Sequence, residues 1–200
     1  RRLYAFRGGI GRLTRRLASK LPVRSGCVVT AVSETAEGVT VRLATGEALA
    51  CDAAIVATPG THVARICDTI TAEERRFFEG VRYASGIVVF VMTSTTEADP
   101  GVYGLGIGRT EGVRLYGLAV ENPKEGAVPP GKTMFNCNFS EEYAAELMDR
   151  SDAEIVEALH GELRKLPMRG LDKTEGHAVH RWPDYVPQFY HGYVRALAAF

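Results

Sequence analysis

The first apolar pattern in the chain has the period of a helix. Leu13, Leu17 and Leu21 recur at every fourth position, which places their side chains on one helical face. The turn-forming pair Gly8-Gly9 precedes them, and Pro22 comes directly after them. Because proline cannot continue a helix, the pattern predicts a helix that begins after the glycines and ends before Pro22.

Alternation replaces this helical period further along. A short apolar run, Cys27 to Val32, is followed by a polar break from Ser33 to Gly38 and then by a second strand-like stretch from Val39 to Leu43. In that stretch apolar and polar residues alternate, which is typical of a half-buried strand. A turn at Thr45-Gly46 leads into a return strand. Residues 27–50 therefore predict a small antiparallel meander.

A different apolar run comes after the meander. Ala53 to Ala57 contains only small and branched residues and stops at the turn Thr58-Pro59-Gly60. Such a run predicts a strand that is buried on both faces. Helices are predicted after it, from His62 to Ile66 and from Thr71 to about Glu79, where the second begins with a capped start.

After Arg82 the pattern predicts mainly strands. Short links rich in Gly, Pro, Asp and Asn join them, which favours one antiparallel sheet. The four predicted strands are Ser85–Thr93, Val102–Ile107, Val113–Val120 and Lys132–Phe139. Two helices are expected to begin at Ser140 and Ser151. A last strand is predicted from His177 to Trp182, and Pro183 and Pro187 are expected to interrupt regular structure after it.

Charge and composition narrow the class of protein. The 200 residues carry 24 basic and 24 acidic side chains, so the formal net charge is zero, which argues against a nucleic-acid partner. Arginines are nevertheless concentrated at the start of the chain. They form either a solvated helix face or a patch for anions or a membrane surface. The six are Arg1, Arg2, Arg7, Arg12, Arg15 and Arg16.

The sequence gives little support for a metal site or for disulfide bonds. The four cysteines form no C-x-x-C pair, which disfavours zinc and indicates a reducing, cytoplasmic location. His177 and His180 would face opposite sides of a strand, a poor arrangement for a shared metal. We therefore predict no metal site.

Three stretches, taken in order, carry a family resemblance. The first is Phe6-Arg7-Gly8-Gly9-Ile10-Gly11-Arg12-Leu13. The second runs from Val28 through Gly38 and Gly46 to Asp52-Ala53-Ala54-Ile55-Val56-Ala57-Thr58-Pro59. The third is Arg181-Trp182-Pro183 with Pro187-Gln188-Phe189. Together they resemble the flavin-containing amine oxidoreductases, and most of all the protoporphyrinogen oxidase and phytoene desaturase branches.

The resemblance implies an α+β fold with two domains. Residues 1–82 would be part of a Rossmann-type FAD domain that includes the small antiparallel meander. Residues 83–182 would form a substrate domain with a mostly antiparallel sheet flanked by helices, and residues 183–200 would return towards the FAD domain. The chain starts at Arg1 and ends in an apolar stretch, so we expect it to be an interior piece of a longer protein.

The resemblance also implies cofactor-binding residues. Val28 would lie beside the adenine of FAD, and Ala57, Thr58 and Pro59 would lie near its ribose and pyrophosphate. Gly8 and Gly9 would let the backbone turn into a helix whose N-terminus favours anions. Each has a plainer alternative, a core valine or a simple turn. Because Gly8-Gly9-Ile10-Gly11 is not a G-x-G-x-x-G fingerprint, we expect this piece alone to bind FAD weakly or not at all.

Four residues are candidates for substrate contact. Val88 occupies the position where amine oxidases proper carry a lysine, which favours oxidases or desaturases of apolar or macrocyclic substrates. Tyr103 could line an apolar cavity or pack in the core. Arg181 could pair with a substrate carboxylate or form a surface salt bridge, and Trp182 could face the cavity or be a core aromatic.

The implied function is hydride transfer from a C–H bond of a small organic substrate to flavin. No catalytic side chain is assigned, because the cofactor supplies the difficult chemistry. A protoporphyrinogen-oxidase-like enzyme is the best specific interpretation. A carotenoid-type desaturase, an amine oxidase and a non-catalytic binding module are the alternatives. Flavin-facing apolar surfaces left uncovered would promote self-association.

Overall fold

The predicted meander is present in the structure, a computed structural model that describes residues 6–171 and 173–199. Its strands are β1 (Val29–Thr35), β2 (Gly38–Leu43) and β3 (Ala48–Cys51), paired antiparallel in that order. The break between β1 and β2 is only two residues long, shorter than predicted. Gly38 begins β2 with φ 140°, and a Cβ there would lie 2.5 Å from the Cys51 carbonyl oxygen, so the close approach of β3 requires glycine.

Both helices predicted after the meander are confirmed. They are α2 (Gly60–Ile66) and α3 (Ala72–Gly80). The start of α3 is fixed by a capping box in which the Thr71 hydroxyl accepts from the Glu74 N–H, while the Glu74 carboxylate accepts from the Thr71 N–H. After α2, Cys67 forms an isolated parallel bridge with Val32, which ties this helix to β1.

The prediction of a buried strand at Ala53 to Ala57 was wrong. In the described chain this segment has no strand pairing, and Ile55 is 95% exposed. The physical reason is that a strand buried on both faces needs neighbouring strands to satisfy its backbone, and the described residues place none beside it.

The second sheet has five strands in the order β5-β6-β7-β4-β8. The pairs for which a register is defined are antiparallel. The five strands are β4 (Tyr83–Thr93), β5 (Gly104–Gly106), β6 (Leu115–Val120), β7 (Thr133–Phe139) and β8 (Thr174–Pro187). This confirms the four predicted strands and their single sheet, and adds β8 to it. A short 3₁₀ helix (Arg109–Glu111) connects β5 and β6.

The strand β8 is longer than predicted. It continues through Pro183 and ends at Pro187, whereas the sequence indicated a break at both prolines. Proline cannot donate a ladder hydrogen bond, but β8 is an edge strand, so one side of its backbone needs no partner.

Two helices cover one face of this sheet, as predicted. They are α4 (Glu141–Leu147), capped by Ser140, and α5 (Asp152–Leu163), which begins with a capping box between Ser151 and Glu154. The buried core lies between the sheet and these helices. It includes Ile87, Val89, Val91, Phe135, Phe139, Ile155 and Leu159.

The remaining two helices are α1 (Gly11–Ala18) and α6 (Tyr193–Ala199). The predicted helix after Gly9 is confirmed, although it ends at Ala18 rather than next to Pro22. None of the eight residues of α1, all of them described, is buried. We did not predict α6, although Tyr193 and Leu197 are four residues apart.

Contacts divide the chain into two units. One contains the described residues of Arg1–Leu21 together with Ala84–Val186, and the other contains Pro22–Tyr83 together with the described residues of Pro187–Phe200. We call them the sheet unit and the meander unit. The mixed α+β class and the antiparallel sheets are confirmed. The domain limits 1–82, 83–182 and 183–200, and the Rossmann-type character of the first, stay predictions.

Candidate functional site

In the meander unit, Val28 lies just before β1. Its side chain is 65% exposed, so the plain core role that the sequence left open does not apply. Its carbonyl oxygen accepts a hydrogen bond from the Ala44 N–H at 2.9 Å. The backbone of Val28 is therefore held by the meander while its side chain is available to a ligand.

The segment Ala57-Thr58-Pro59 leads into α2. Ala57 and Thr58 are exposed, and the Pro59 carbonyl oxygen accepts from the His62 N–H at 2.8 Å. The Gly60 N–H donates to the Tyr83 hydroxyl at 2.9 Å. Thr58 also lines an apolar cavity of about 390 Å³ within this unit, together with Val63, Phe77, Val81, Tyr193 and Leu197.

Gly8 and Gly9 belong to the sheet unit. Both have φ 85°, in the left-handed region that favours glycine, and the Gly9 N–H donates to the Phe6 carbonyl oxygen at 2.9 Å. They form the predicted turn that leads towards α1. Residues Arg1 and Arg2 of the arginine-rich start lie outside the described residues.

The face of the five-stranded sheet opposite α4 and α5, called here the open face, carries Val88. Side chains alternate along β4, so Ile87 and Val89 enter the core while Val88 and Phe90 point to the open face. Val88 pairs with Asn138 and Phe90 pairs with Asn136 on β7. The centre of the open face therefore combines apolar side chains with two amides.

Aromatic rings continue the open face on β8. The His180 ring lies edge-on to Phe90 with centroids 5.9 Å apart, and Trp182, which is 51% exposed, stacks on Tyr185 at 6.5 Å. The Tyr185 ring lies on the backbone of β4 at Gly86, where a Cβ would come within 2.3 Å of it. Trp182 is thus a surface aromatic of the open face and not a core residue, and its contact with substrate stays a prediction.

Tyr116, on β6, is hydrogen-bonded to Tyr185. Desolvation, together with the smaller effect of this hydrogen bond, raises the pKa of the Tyr116 phenol to about 12. The phenol is therefore neutral at physiological pH. Tyr103 is half exposed, with the Lys124 Nζ 5.8 Å from its ring centroid, so it is a surface residue rather than part of the core.

Arg181 lies on the other face of the sheet. Its Nε donates to the Met148 carbonyl at 3.2 Å, its Nη2 donates to the Arg150 carbonyl at 2.6 Å, and its Nη1 lies 2.6 Å from the Asp152 carboxylate. The guanidinium therefore binds the loop between α4 and α5. This arrangement supports the salt-bridge role that the sequence left open and not the contact with a substrate carboxylate.

Sequence reasoning missed a cavity of about 690 Å³ in the sheet unit. It lies between the segment Phe6 to Ile10 and the open face, where Phe90, Glu121 and Asn136 line it. The signal was present in part, because Asn136 and Asn138 are polar residues two apart on a strand whose other side chains are mostly apolar. Glu121 gave no signal, because its burial depends on a segment more than 100 residues away in the sequence.

Metal chemistry finds no support in the described part of the chain, where no group of three or more His, Cys, Asp or Glu side chains could hold an ion. Among the same residues no helix is long and apolar enough to cross a membrane. The cytoplasmic location, the small-molecule substrate and the self-association stay predictions.

Known proteins of the same architecture include oxidases and a mutase. A putrescine oxidase superposes with a TM-score of 0.78 at 17% identity, covering 96% of this chain and 44% of that one. A protoporphyrinogen oxidase-like protein from Exiguobacterium sp. 255-15 gives 0.74 at 15%, covering 96% and 42%. A reduced UDP-galactopyranose mutase gives 0.70 at 19%, with the same coverage. The chain thus spans less than half the length of these structures.

The superpositions show the fold, and sequence comparison identifies the family. No curated protein matches the chain. Residues 1–197, however, match the sequence profile of the family described as flavin containing amine oxidoreductase. The match covers nearly the whole chain and agrees with the resemblance carried by its three motifs, so the chain belongs to the flavin-containing amine oxidoreductase family.

Proposed function

We propose that this chain is part of an FAD-dependent oxidoreductase and that the open face of its five-stranded sheet forms a wall of the substrate site. The reaction would move a hydride from a C–H bond of a small organic substrate to the flavin. Family membership supports the flavin chemistry. The observation that carries the substrate wall is the lining of the open face.

This lining suits a largely apolar substrate that contains flat rings. Phe90 and the stacked pair Trp182 and Tyr185 offer ring surfaces, which pack well against other flat groups. Asn136 and Asn138, whose side chains are hydrogen-bonded to each other at 3.2 Å, add polar atoms without formal charge. A pocket that is mostly apolar with a few placed polar groups is the usual form of a small-molecule site.

The described residues fit one part of a flavin nucleotide. Val28 and the segment Ala57-Thr58-Pro59 are small or compact residues, largely exposed, and the loops that carry them are held by hydrogen bonds to Ala44 and His62. They would hold the adenine, ribose and pyrophosphate through their backbone. When bound, FAD supplies the hydride acceptor. The sequence has no G-x-G-x-x-G loop, so we expect these residues alone to bind FAD weakly.

The substrate that we favour is a porphyrinogen-like macrocycle. Val88 stands where the resemblance places the lysine of amine oxidases, and its side chain is buried and apolar between neighbouring strands. A hydrocarbon at this position supports an apolar substrate over an amine. A carotenoid-type substrate and an amine stay the alternatives.

Flavin reduction in the longest natural form of the protein tests this proposal. The visible absorption spectrum is recorded with added FAD, and then under anaerobic conditions after a porphyrinogen, a carotenoid precursor or an amine is added. We expect a protein-bound flavin spectrum and bleaching by the porphyrinogen. Bleaching by the amine alone would overturn the substrate class. Absence of bound flavin would overturn the proposal that the protein is an FAD-dependent enzyme. The non-catalytic binding module would then be the remaining interpretation.

A matched variant separates the substrate wall from the cofactor. Trp182→Ala removes an exposed ring of the open face, and we expect slower bleaching by substrate with unchanged FAD binding. Trp182→Phe retains a ring and should recover most of the rate. Equal rates in all three proteins would show that the open face does not contact substrate.

A further inference from the structure

The cavity beneath the segment Phe6 to Ile10 contains a buried acidic group that has no role in the proposed flavin chemistry. The volume of this cavity is about 690 Å³, which is enough for a small organic ligand. Apolar side chains dominate the lining, with Phe6 and Ile10 from the N-terminal segment and Phe90 from β4. Polar side chains of the lining are Glu121, Lys124, Glu125 and Asn136. All of these residues lie in the sheet unit.

The Glu121 side chain is only 7% exposed, although it comes directly after the last residue of β6. Its Oε2 accepts a hydrogen bond from the Lys124 Nζ at 2.5 Å. Its Oε1 is shielded from solvent, and within residues 6–171 and 173–199 no group donates to it. A buried acceptor without a donor is unfavourable, and native proteins rarely retain one without a reason.

The charges around this oxygen favour a neutral donor over a cation. Lys124 already neutralises the Glu121 carboxylate. The other acidic residue of the lining, Glu125, is paired with Arg7 at 2.8 Å. An ammonium group at Oε1 would therefore approach Lys124 closely, with no unpaired carboxylate among the described lining residues to balance it, whereas an N–H or O–H group adds no charge.

We propose that this cavity is a ligand subsite in which Glu121 Oε1 accepts a hydrogen bond from a neutral N–H or O–H group of a largely apolar, ring-shaped ligand. The terminal torsion of a glutamate is soft, so the carboxylate can turn towards a donor in the cavity. Phe6, Ile10 and Phe90 would surround the apolar body of the ligand. Only the claim that this ligand is a substrate rests on the proposed function, because binding itself needs no flavin.

Matched probes test the subsite without flavin. The 200-residue chain is titrated with indole and with 1-methylindole, which has the same ring system but a methyl group in place of the N–H hydrogen, and binding is measured by nuclear magnetic resonance. We expect indole to bind at least about tenfold more tightly, the ratio expected for one hydrogen bond to a charged acceptor. Benzylammonium serves as the charged probe and should bind more weakly than indole.

Two variants locate the interaction. Glu121→Met keeps the length of the side chain but removes the acceptor, so indole and 1-methylindole should bind equally. Glu157→Gln removes an exposed carboxylate on α5 and should leave the preference unchanged. If Glu121→Met does not fold, Ile10→Trp fills the cavity from an exposed position and should abolish indole binding.

Several results would overturn the subsite. These are no binding of indole, equal binding of the two indoles to the unchanged chain, preference for benzylammonium, or full binding by Ile10→Trp. Failure of the proposed function looks different, because indole would still bind while the flavin was absent or never reduced.

Discussion

Arg181 provides a direct test of how the α4–α5 loop is held. Its guanidinium contacts the carbonyl oxygens of Met148 and Arg150 and the carboxylate of Asp152, and the side chain is 29% exposed. Arg181→Met preserves most of the apolar stem and removes all three contacts. The variant therefore lacks these three contacts between the loop and β8.

The expected loss of stability can be worked out from these contacts. Two hydrogen bonds from a charged donor would each contribute about 1.5–3 kcal/mol if fully buried. Partial exposure lowers this, and the half-exposed Asp152 adds at most about 1 kcal/mol. We therefore expect Arg181→Met to lower the free energy of unfolding by about 3 kcal/mol. For a chain of this size, that corresponds to about 6–12 °C in Tm.

Urea and thermal unfolding, monitored by circular dichroism, measure this change. Arg181→Lys keeps the charge but loses the planar fork, so it should recover no more than about half of the stability. Arg164→Met is the matched control. Arg164 is exposed, and so is the ion pair that it forms with Glu157 at 3.2 Å. It should change stability by less than about 0.5 kcal/mol.

A change below about 0.5 kcal/mol in Arg181→Met would refute the reasoning about the loop. If ligands with a carboxylate then bound more weakly to this variant, the substrate role left open by the sequence would be the correct one.

Three further predictions concern packing, capping and thiol chemistry. Gly86→Ala should destabilise the chain by about 1–3 kcal/mol in urea unfolding, because the new Cβ would lie 2.3 Å from the Tyr185 ring. Ser151→Ala should lower stability by about 1 kcal/mol at neutral pH through loss of the α5 cap. Cys137 should resist a thiol reagent in the folded chain, because complete burial removes access and raises the pKa of its thiol to about 12.

The packing and thiol predictions have internal controls. Gly106→Ala adds a Cβ to open space on the same sheet and should be nearly neutral; equal costs for the two glycines would contradict the steric argument. Cys27 and Cys51 are exposed and should react first. Rapid labelling of Cys137 would show that the core opens readily.

The capping prediction also has a pH dependence. Hydrogen bonds from the Ser151 side chain and backbone hold the pKa of Glu154 below its usual range. A lowered pKa in the folded state contributes stability above the ordinary carboxyl pKa, and this contribution is lost as the pH falls through the lowered value. The difference between Ser151→Ala and the unchanged chain should therefore shrink in acid. A difference that grew in acid would contradict this cause.

Local signals in the sequence were sufficient for most elements. The alternation in Val39 to Leu43 and the capping sequences at Thr71 and Ser151 each specify an element through neighbouring residues alone, and each was confirmed. Pro183 misled the prediction because its effect depends on position in the sheet. A proline stops an inner strand, but the order of the sheet places β8 at an edge.

The candidate site depended more on contacts between distant residues. The alternation along β4 predicts that Val88 and Phe90 share a face, but not which face the helices leave open. Arg181 and Trp182 are adjacent, and the sequence gave both a possible substrate role. Because neighbours on a strand point to opposite faces, Trp182 lies on the open face and Arg181 does not, and the position of the α4–α5 loop decides the role of Arg181.

The segment Ala53 to Ala57 explains why composition cannot determine a strand by itself. Its small and branched residues satisfy every local criterion for a buried strand, yet Ile55 is 95% exposed. A β-strand differs from a helix in that all of its backbone hydrogen bonds must come from other segments. The strands of the meander provide these hydrogen bonds for one another, because short turns join β1, β2 and β3. Ala53 to Ala57 has no such neighbouring strand among the described residues. Its apolar side chains therefore stay largely exposed, next to the residues that we propose bind FAD.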